Sequence, residues 1–316
     1  MRFDATGKVS LDHIYTQPDP RAYFTQLRQL DYCVPQEAKP YFAKLIEEYR
    51  ESEDVAVPKV LDVGCSYGIN AALLKYDVTM DALYARYCED RPGSAGGKAP
   101  AETSSALLAR DRKLARAHHP ARRTRFVGLD TSASALAYGL EAGFLDDAVH
   151  ADLEKNEPTA RQRSQFAGTD LVISTGCVGY VTERTLTRIV HSMGEHRPWM
   201  AHFVLRMFPF DPVERTLAGL GYETIRVDDV FRQRRFASDE EQALVLATMK
   251  EAGVDARGLE AEGWLYAQLH VSRPSGTAVS PSASSSAPKS ASAETDLAEQ
   301  GEATATYPAI RINEPK

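Results

Sequence analysis

The stretch Lys59-Val60-Leu61-Asp62-Val63-Gly64-Cys65-Ser66-Tyr67-Gly68-Ile69-Asn70 is an apolar run that stops at a carboxylate and breaks into two glycines four apart. This pattern predicts a buried strand, a tight turn and the start of a helix. Glycine suits such a turn because positive φ is free only to glycine, and because a missing Cβ lets a ligand approach the backbone closely. The helix N-terminus beyond the turn offers unpaired N–H groups to that ligand. With Ser66 between glycines at 64 and 68, the spacing departs from the G-x-G-x-x-G dinucleotide fingerprint and argues against NAD.

Two further carboxylates follow predicted strands. Arg125-Phe126-Val127-Gly128-Leu129-Asp130 ends in an acid placed to accept two hydrogen bonds from ribose hydroxyls, although an aspartate there also serves as a helix cap. Ala148-Val149-His150-Ala151-Asp152-Leu153 ends in another, where a plain turn former is the alternative. A fourth strand, Thr169-Asp170-Leu171-Val172-Ile173-Ser174-Thr175-Gly176, runs into Cys177-Val178-Gly179-Tyr180-Val181. Ligands of open α/β sheets bind at strand carboxyl ends, so this loop belongs with the acids.

The positioning elements read as an alternation of strands and helices. Asp19 and Pro20 start a helix through about Leu30, and a second runs from Gln36 to Arg50. Their aromatic stripe, including Tyr23, Phe24, Tyr41, Phe42 and Tyr49, either packs on the main domain or forms a substrate lid. Before them Leu11 to Asp19 carries His13, Tyr15 and Asp12, types that can line a pocket. After the glycine turn the second strand is expected within about twenty residues, but it is delayed to Arg125. The intervening piece reads as a helical insertion, with helices over Met80 to Tyr87 and Thr103 to Ala117, a flexible 91–97 and a basic end that includes His118 and His119.

Helices are also predicted over 131–143, closed by Gly143, and over 182–193 and 212–220. Strand five spans Trp199 to Phe208, strand six Tyr222 to Val227 and strand seven Gly263 to Val271. Basic Arg232 to Phe236 and a helix opened by Ser238-Asp239-Glu240-Glu241 read as a second insertion.

Asp62 with Gly64 and Gly68, then Asp130, Asp152 and the loop at 174–181 together resemble the motifs of class I S-adenosylmethionine-dependent methyltransferases, Ser66 replacing the middle glycine of the first. The resemblance covers 55–272 apart from the insertions. It implies S-adenosyl-L-methionine as cofactor, with Asp62, Gly64, Cys65, Ser66 and Gly68 around its methionine end and Asp130 with Thr131 at the ribose. It also implies Asp152 at the adenine amino group with Leu153 beside it, and Ser174 opening the loop that faces the transferred methyl. Tyr180 is the catalytic candidate in that loop, and Tyr15 and Tyr23 are the substrate candidates. The loop lacks the Asn/Asp-Pro-Pro-Tyr pattern of adenine-N6 and glutamine enzymes, and Cys177 has no neighbouring proline like the nucleophile of cytosine-C5 enzymes.

The expected architecture is an α/β doubly wound, seven-stranded, mostly parallel sheet with helices on both faces and strand seven antiparallel. A helical cap over 1–57 precedes a Rossmann-like domain over 58–272, with insertions at about 76–124 and 230–262. Beyond 273 the composition collapses to Ser, Ala, Pro, Thr and Gly, which predicts a disordered tail. The expected function is methyl transfer to an oxygen or nitrogen of a small molecule, with a protein acceptor or a non-catalytic cofactor-binding scaffold as alternatives.

Bulk properties set the limits. Of 316 residues, 43% are apolar, enough for a real core. A net charge of −7 disfavours general nucleic-acid binding. Four scattered cysteines without a CxxC pair indicate neither a disulfide framework nor a zinc site. No leader or membrane-spanning run is evident, so the expectation is a soluble cytoplasmic protein, monomeric or homodimeric, with no metal.

Overall fold

The computed structural model describes residues 2–4, 6–88, 103–117 and 123–276. A 3-10 turn at Asp12–Ile14 leads to α1 (Arg21–Arg28) and α2 (Val34–Ser52), then to β1 (Lys59–Val63), α3 (Ile69–Lys75), α4 (Met80–Tyr87) and α5 (Ser104–Ala117). Next come β2 (Arg125–Asp130), α6 (Ala133–Ala142), β3 (Asp147–His150), α7 (Ala160–Phe166), β4 (Leu171–Thr175) and α8 (Glu183–His191). The rest comprises β5 (Trp199–Leu205), α9 (Asp211–Gly219), β6 (Tyr222–Arg235), α10 (Asp239–Glu251) and β7 (Trp264–Pro274).

The strands form one sheet in the order β3-β2-β1-β4-β5-β7-β6. The first five are parallel, and β7 runs antiparallel to both β5 and β6. This is the seven-stranded, mostly parallel sheet that the sequence predicts. The order reverses between β1 and β4, and such a switch point opens a crevice at the strand carboxyl ends. Gly64 and Gly176 lie at that crevice.

Side chains alternate along each strand, so both sheet faces must be covered. Val60, Leu171, Ile173, Ala201 and Phe203 point to one face, where α2 supplies Phe42, Leu45 and Tyr49. Leu61, Val127, Val172, Met200 and Val204 point to the other, against Leu186, Ile189 and Val190 of α8 and Val213 and Leu217 of α9. The aromatic stripe of α2 is core: Phe42 meets Phe203 at 5.4 Å and Tyr49 meets Trp199 at 5.2 Å, both edge-on. Likewise Phe24 of α1 stacks on Tyr87 of α4 at 4.4 Å. Such aromatic pairs add about 0.5–1.5 kcal/mol each beyond area burial.

The structure departs from the expected elements at several points, and β5 stops at Leu205 short of Phe208. β6 continues to Arg235 and does not stop at Val227, because Arg232 and Arg235 pair with Tyr266 and Trp264 of β7. The basic run is therefore strand, and α10 and a 3-10 turn at Glu260–Glu262 make up the rest of that segment. β3 ends at His150, which leaves Asp152 two residues beyond the strand. The short helix α7 was not predicted, although Thr159 and Gln162 form a reciprocal capping box at its start. β7 reaches Pro274, beyond the predicted start of the tail at 273. The stretch 91–97, His118, His119 and the tail from 277 onward lie outside the described residues. Among those described, no helix is long and apolar enough to cross a membrane.

Candidate active site at the strand carboxyl ends

Between β1 and α3 the chain reverses through three left-handed residues: Gly64 at φ +70°, Ser66 at +51° and Gly68 at +80°. The turn is fastened to β2. Gly64 N–H donates to the Leu129 carbonyl at 2.8 Å, and Ser66 N–H donates to Asp130 Oδ2 at 2.9 Å. A Cβ on Gly64 would lie 2.8 Å from Cys177 Cβ, and one on Gly68 would lie 3.1 Å from Leu145 Cγ. The room released by these glycines is thus filled by the protein's own side chains, whereas the sequence reading assigned it to a ligand. They are required by positive φ and by close packing. Ser66 holds a left-handed backbone without that freedom, at about 1–2 kcal/mol.

Asp62 is fully buried. Its Oδ1 accepts a hydrogen bond from Asn70 Nδ2 at 3.0 Å, and the same amide donates to Thr175 Oγ1 at 3.2 Å. Burial pushes the Asp62 carboxyl up to about 7; the Asn70 hydrogen bond opposes this and the charge of Asp130 adds to it. Three enclosed oxygens around the turn have no hydrogen-bond partner among the described residues: Asp62 Oδ2, Ser66 Oγ and Asn70 Oδ1. Each such group costs about 1–3 kcal/mol. Their clustering at one turn makes a set of hydrogen-bond acceptors that suits a cationic N–H donor, and so fits the ammonium of the amino acid portion of S-adenosylmethionine.

Asp130 closes β2 facing the turn. Its Oδ2 takes Ser66 N–H and its Oδ1 takes Ser132 N–H, both at 2.9 Å, and each oxygen keeps a lone pair for a hydroxyl. Ser132 also caps α6. Thr131 is exposed, and its carbonyl accepts from His150 Nε2 at 2.9 Å.

The remaining predicted cofactor residues are placed less directly. Asp152 Oδ1 accepts from the backbone of Glu154 and Lys155 at 3.1 and 3.2 Å, and Oδ2 accepts from Lys155 Nζ at 2.8 Å, so its carboxylate is engaged in its own turn. Those bonds hold the carboxyl below its ordinary range, the Lys155 hydrogen bond most of all. The Cys65 and Leu153 side chains lie in the hydrophobic core. Ser174 is enclosed and shares a hydrogen bond with His202 Nδ1 at 2.8 Å, which leaves its neighbour Thr175 on the Asn70 side.

The N-terminal segment covers this end of the sheet. Tyr67 Oη donates to the carbonyls of Ile14 and Gln17 at 3.1 and 3.0 Å, and Ser132 Oγ donates to that of Tyr15 at 2.5 Å. The predicted pocket loop is therefore seated on the glycine turn and on the start of α6. Tyr15 is half-buried, and burial pushes its phenol up to about 12. Tyr23 is packed among Tyr15, Phe24, Tyr32 and Tyr67, a core position. Tyr180, 46% exposed, donates its hydroxyl to Asp4 and meets Phe208 edge-on at 5.8 Å.

Several residues here were not among the sequence candidates. Lys8 is buried, with Nζ 4.9 Å from the Tyr180 ring centroid and 5.8 Å from that of Phe208. Burial, with the charge of Arg234, pulls its amine down to about 8. Arg234 forms a buried fork with Glu241 at 2.9 and 2.7 Å, and Glu241 also accepts from Val9 N–H at 2.7 Å. Asn70 stood inside the motif stretch, yet its role depends on Asp62 and Thr175 being brought together by the fold. Nothing in the local sequence marks Lys8 or Arg234 as buried.

No family model matches the chain, and no curated protein matches it. Among solved structures it is similar to the plantazolicin methyltransferase BpumL, bound to S-adenosylhomocysteine, at 10% identity and a TM-score of 0.39 over 83% of this chain and 93% of that one. It is also similar to magnesium protoporphyrin IX methyltransferase from Synechocystis, bound to S-adenosylmethionine, at 10% identity and a TM-score of 0.34 over 74% and 79% of the two chains. A third, the cyclase SpnF, has 13% identity and a TM-score of 0.37 over 74% and 82%. The doubly wound sheet, with its antiparallel seventh strand next to β5, is Rossmann-like.

Proposed function

We propose that the chain binds S-adenosylmethionine at the Asp62–Asn70 turn and transfers its methyl group to an oxygen or nitrogen of a small molecule. The observation that carries this reading is the cluster of enclosed, unpartnered oxygens on Asp62, Ser66 and Asn70, set across the turn from the Asp130 carboxylate. Asp62, Ser66 and Asn70 would hold the methionine end, and Asp130 the ribose hydroxyls. Thr131, Asp152 and Leu153 would lie along the adenosine side, the last through its backbone.

When bound, the cofactor supplies a methyl whose bond to sulfur breaks, with the electron pair staying on sulfur, as the bond to the acceptor atom forms. The protein's part is alignment, and holding two reactants in line is worth roughly 7–11 kcal/mol. Tyr15 from the covering segment and Tyr180 from the loop after β4 would contact the acceptor, with Tyr23 behind Tyr15. The acceptor loses its proton as it is methylated, and the Lys8 amine, drawn down to about 8, can take it in its neutral form, whose share rises as pH climbs toward and past 8.

The covering by 2–4 and 6–17 favours a small acceptor over a protein one, because the segment is tied down at Asp4, Val9, Ile14 and Tyr15. Calorimetric titration with S-adenosylmethionine tests the first half, and absence of binding would overturn the reading. Incubation with methyl-labelled cofactor and a metabolite extract tests the second, with label expected in small molecules. Label found only in protein would replace the acceptor class.

A further inference from the structure

β6 shifts register against β7 twice, between Arg226 and Val230 and between Arg232 and Arg234, and the second shift buries two neighbouring polar residues. Arg232 pairs with Tyr266 and Arg234 with Leu265, so Gln233 is an extra residue set opposite a single step of β7. A bulge of this kind re-aims a side chain, and bulges gather beside active sites. As a result Gln233 and Arg234, neighbours in sequence, are both buried, at 5% and 4% exposure. A regular strand would turn one of them outward.

The two are treated differently by their surroundings. Arg234 is fully matched by the Glu241 carboxylate. The Gln233 main-chain carbonyl accepts from Cys33 N–H at 2.8 Å, which fixes the bulge against the start of α2. Its side-chain Oε1, however, is enclosed with no hydrogen-bond partner among the described residues. An unpaired buried amide oxygen opposes folding.

The amide lies where the chemistry is expected. Gly176 opens the loop after β4 at φ +70°, and a Cβ on it would stand 2.5 Å from Gln233 Nε2. The same loop carries Cys177, which packs on Gly64, and Tyr180. A strand from the far edge of the sheet thus sets an amide, whose Oε1 is unpartnered, against the start of the loop that follows β4.

We propose that Gln233 Oε1 binds the methyl acceptor. It would accept a hydrogen bond from an N–H or O–H of the acceptor and so turn that atom's lone pair toward the transferred methyl. As the new bond forms, the methyl–sulfur electron pair stays on sulfur, and the methylated atom then gives its proton to solvent or to the neutral Lys8 amine, the amide oxygen orienting the hydrogen without keeping it. The acceptor class is then an amine, amide nitrogen or hydroxyl that still carries a hydrogen, and not a carboxylate, a thiol or a carbon nucleophile. This inference rests on the methyl-transfer reading above.

The test compares full-length wild type with Gln233→Met, which keeps the length of the side chain and removes the amide. Three quantities are measured: the unfolding midpoint, the Kd for S-adenosylmethionine, and methyl-label incorporation against a dilution series of metabolite extract. The proposal expects an unfolding midpoint no lower than wild type, a Kd within about twofold, and a half-saturating extract concentration raised about tenfold or more, the scale of one lost hydrogen bond. The midpoint comparison needs no acceptor: a clear drop would mean that the amide is satisfied within the fold, and would overturn the proposal whatever the extract contains. Wild-type labelling matched by Gln233→Met at every dilution would overturn it as well. Wild type that fails to bind S-adenosylmethionine would instead overturn the methyl-transfer reading, and this inference with it.

Discussion

Asn70 Nδ2 donates to Asp62 Oδ1 at 3.0 Å, so the carboxylate that ends β1 is held by the second residue of α3, and one of its two oxygens is left enclosed and unpartnered. Strand, turn and helix are closed into a ring by this bond. Burial makes this acid keep its proton to higher pH than usual, against the opposing effect of the Asn70 hydrogen bond.

The consequence for stability has a definite sign. The Asp62 carboxyl rises from its ordinary 3.8 to about 7 on folding, so between those values the folded chain holds a proton that the unfolded chain has released. Stability therefore falls as pH climbs through that window, and the loss is complete above it. Asp62→Asn removes this term. Urea unfolding should show the variant more stable than wild type at about pH 8, by a few kcal/mol at most at roughly 1.4 kcal/mol per pH unit, and the difference should shrink toward pH 4. A difference that is constant with pH would contradict the assigned environment.

Gly64→Ala separates packing from ligand access. If the missing Cβ serves a ligand alone, the variant should be as stable as wild type without one. The left-handed backbone and the 2.8 Å approach to Cys177 Cβ instead predict a loss of at least about 2 kcal/mol in the ligand-free protein, read by urea unfolding.

The parallel strands of the sheet are legible in the sequence because strands buried on both faces appear as nearly unbroken apolar runs, as in Val60 to Val63 and Leu171 to Ile173. The glycine that closes α6, Gly143, is legible because it carries local backbone chemistry, whereas the N-cap is Ser132 and not the Asp130 that the pattern offers as a cap. The second half of β6 is not. Arg232-Gln233-Arg234-Arg235 resembles a solvated run, and only pairing with β7 and the Glu241 partner on α10 makes it a strand with two buried polar residues. For the same reason the acids and glycines of the proposed cofactor side stand out in local patterns, whereas Lys8, Gln233 and Arg234 acquire their surroundings through contacts made far along the chain. Asp152 fits its pattern, but its carboxylate is taken up by its own turn.

The buried pair of Arg234 and Glu241 joins β6, α10 and the N-terminal segment through Val9. Removing one member leaves the other as an uncompensated buried charge. Arg234→Met and Glu241→Met should each lose about 3–5 kcal/mol in urea unfolding, and the double variant should lose clearly less than the sum. Additive losses would mean that the two charges do not act as a pair.

The central claim is that the turn from Asp62 to Asn70, faced by Asp130, is a site for S-adenosylmethionine. Calorimetric titration of that cofactor into wild type and Asp130→Ala tests it most directly. The account predicts one-to-one binding to wild type, weakened in Asp130→Ala by about 1–3 kcal/mol, the scale of hydrogen bonds to a charged group. No binding to wild type, or equal affinity in the variant, would contradict it.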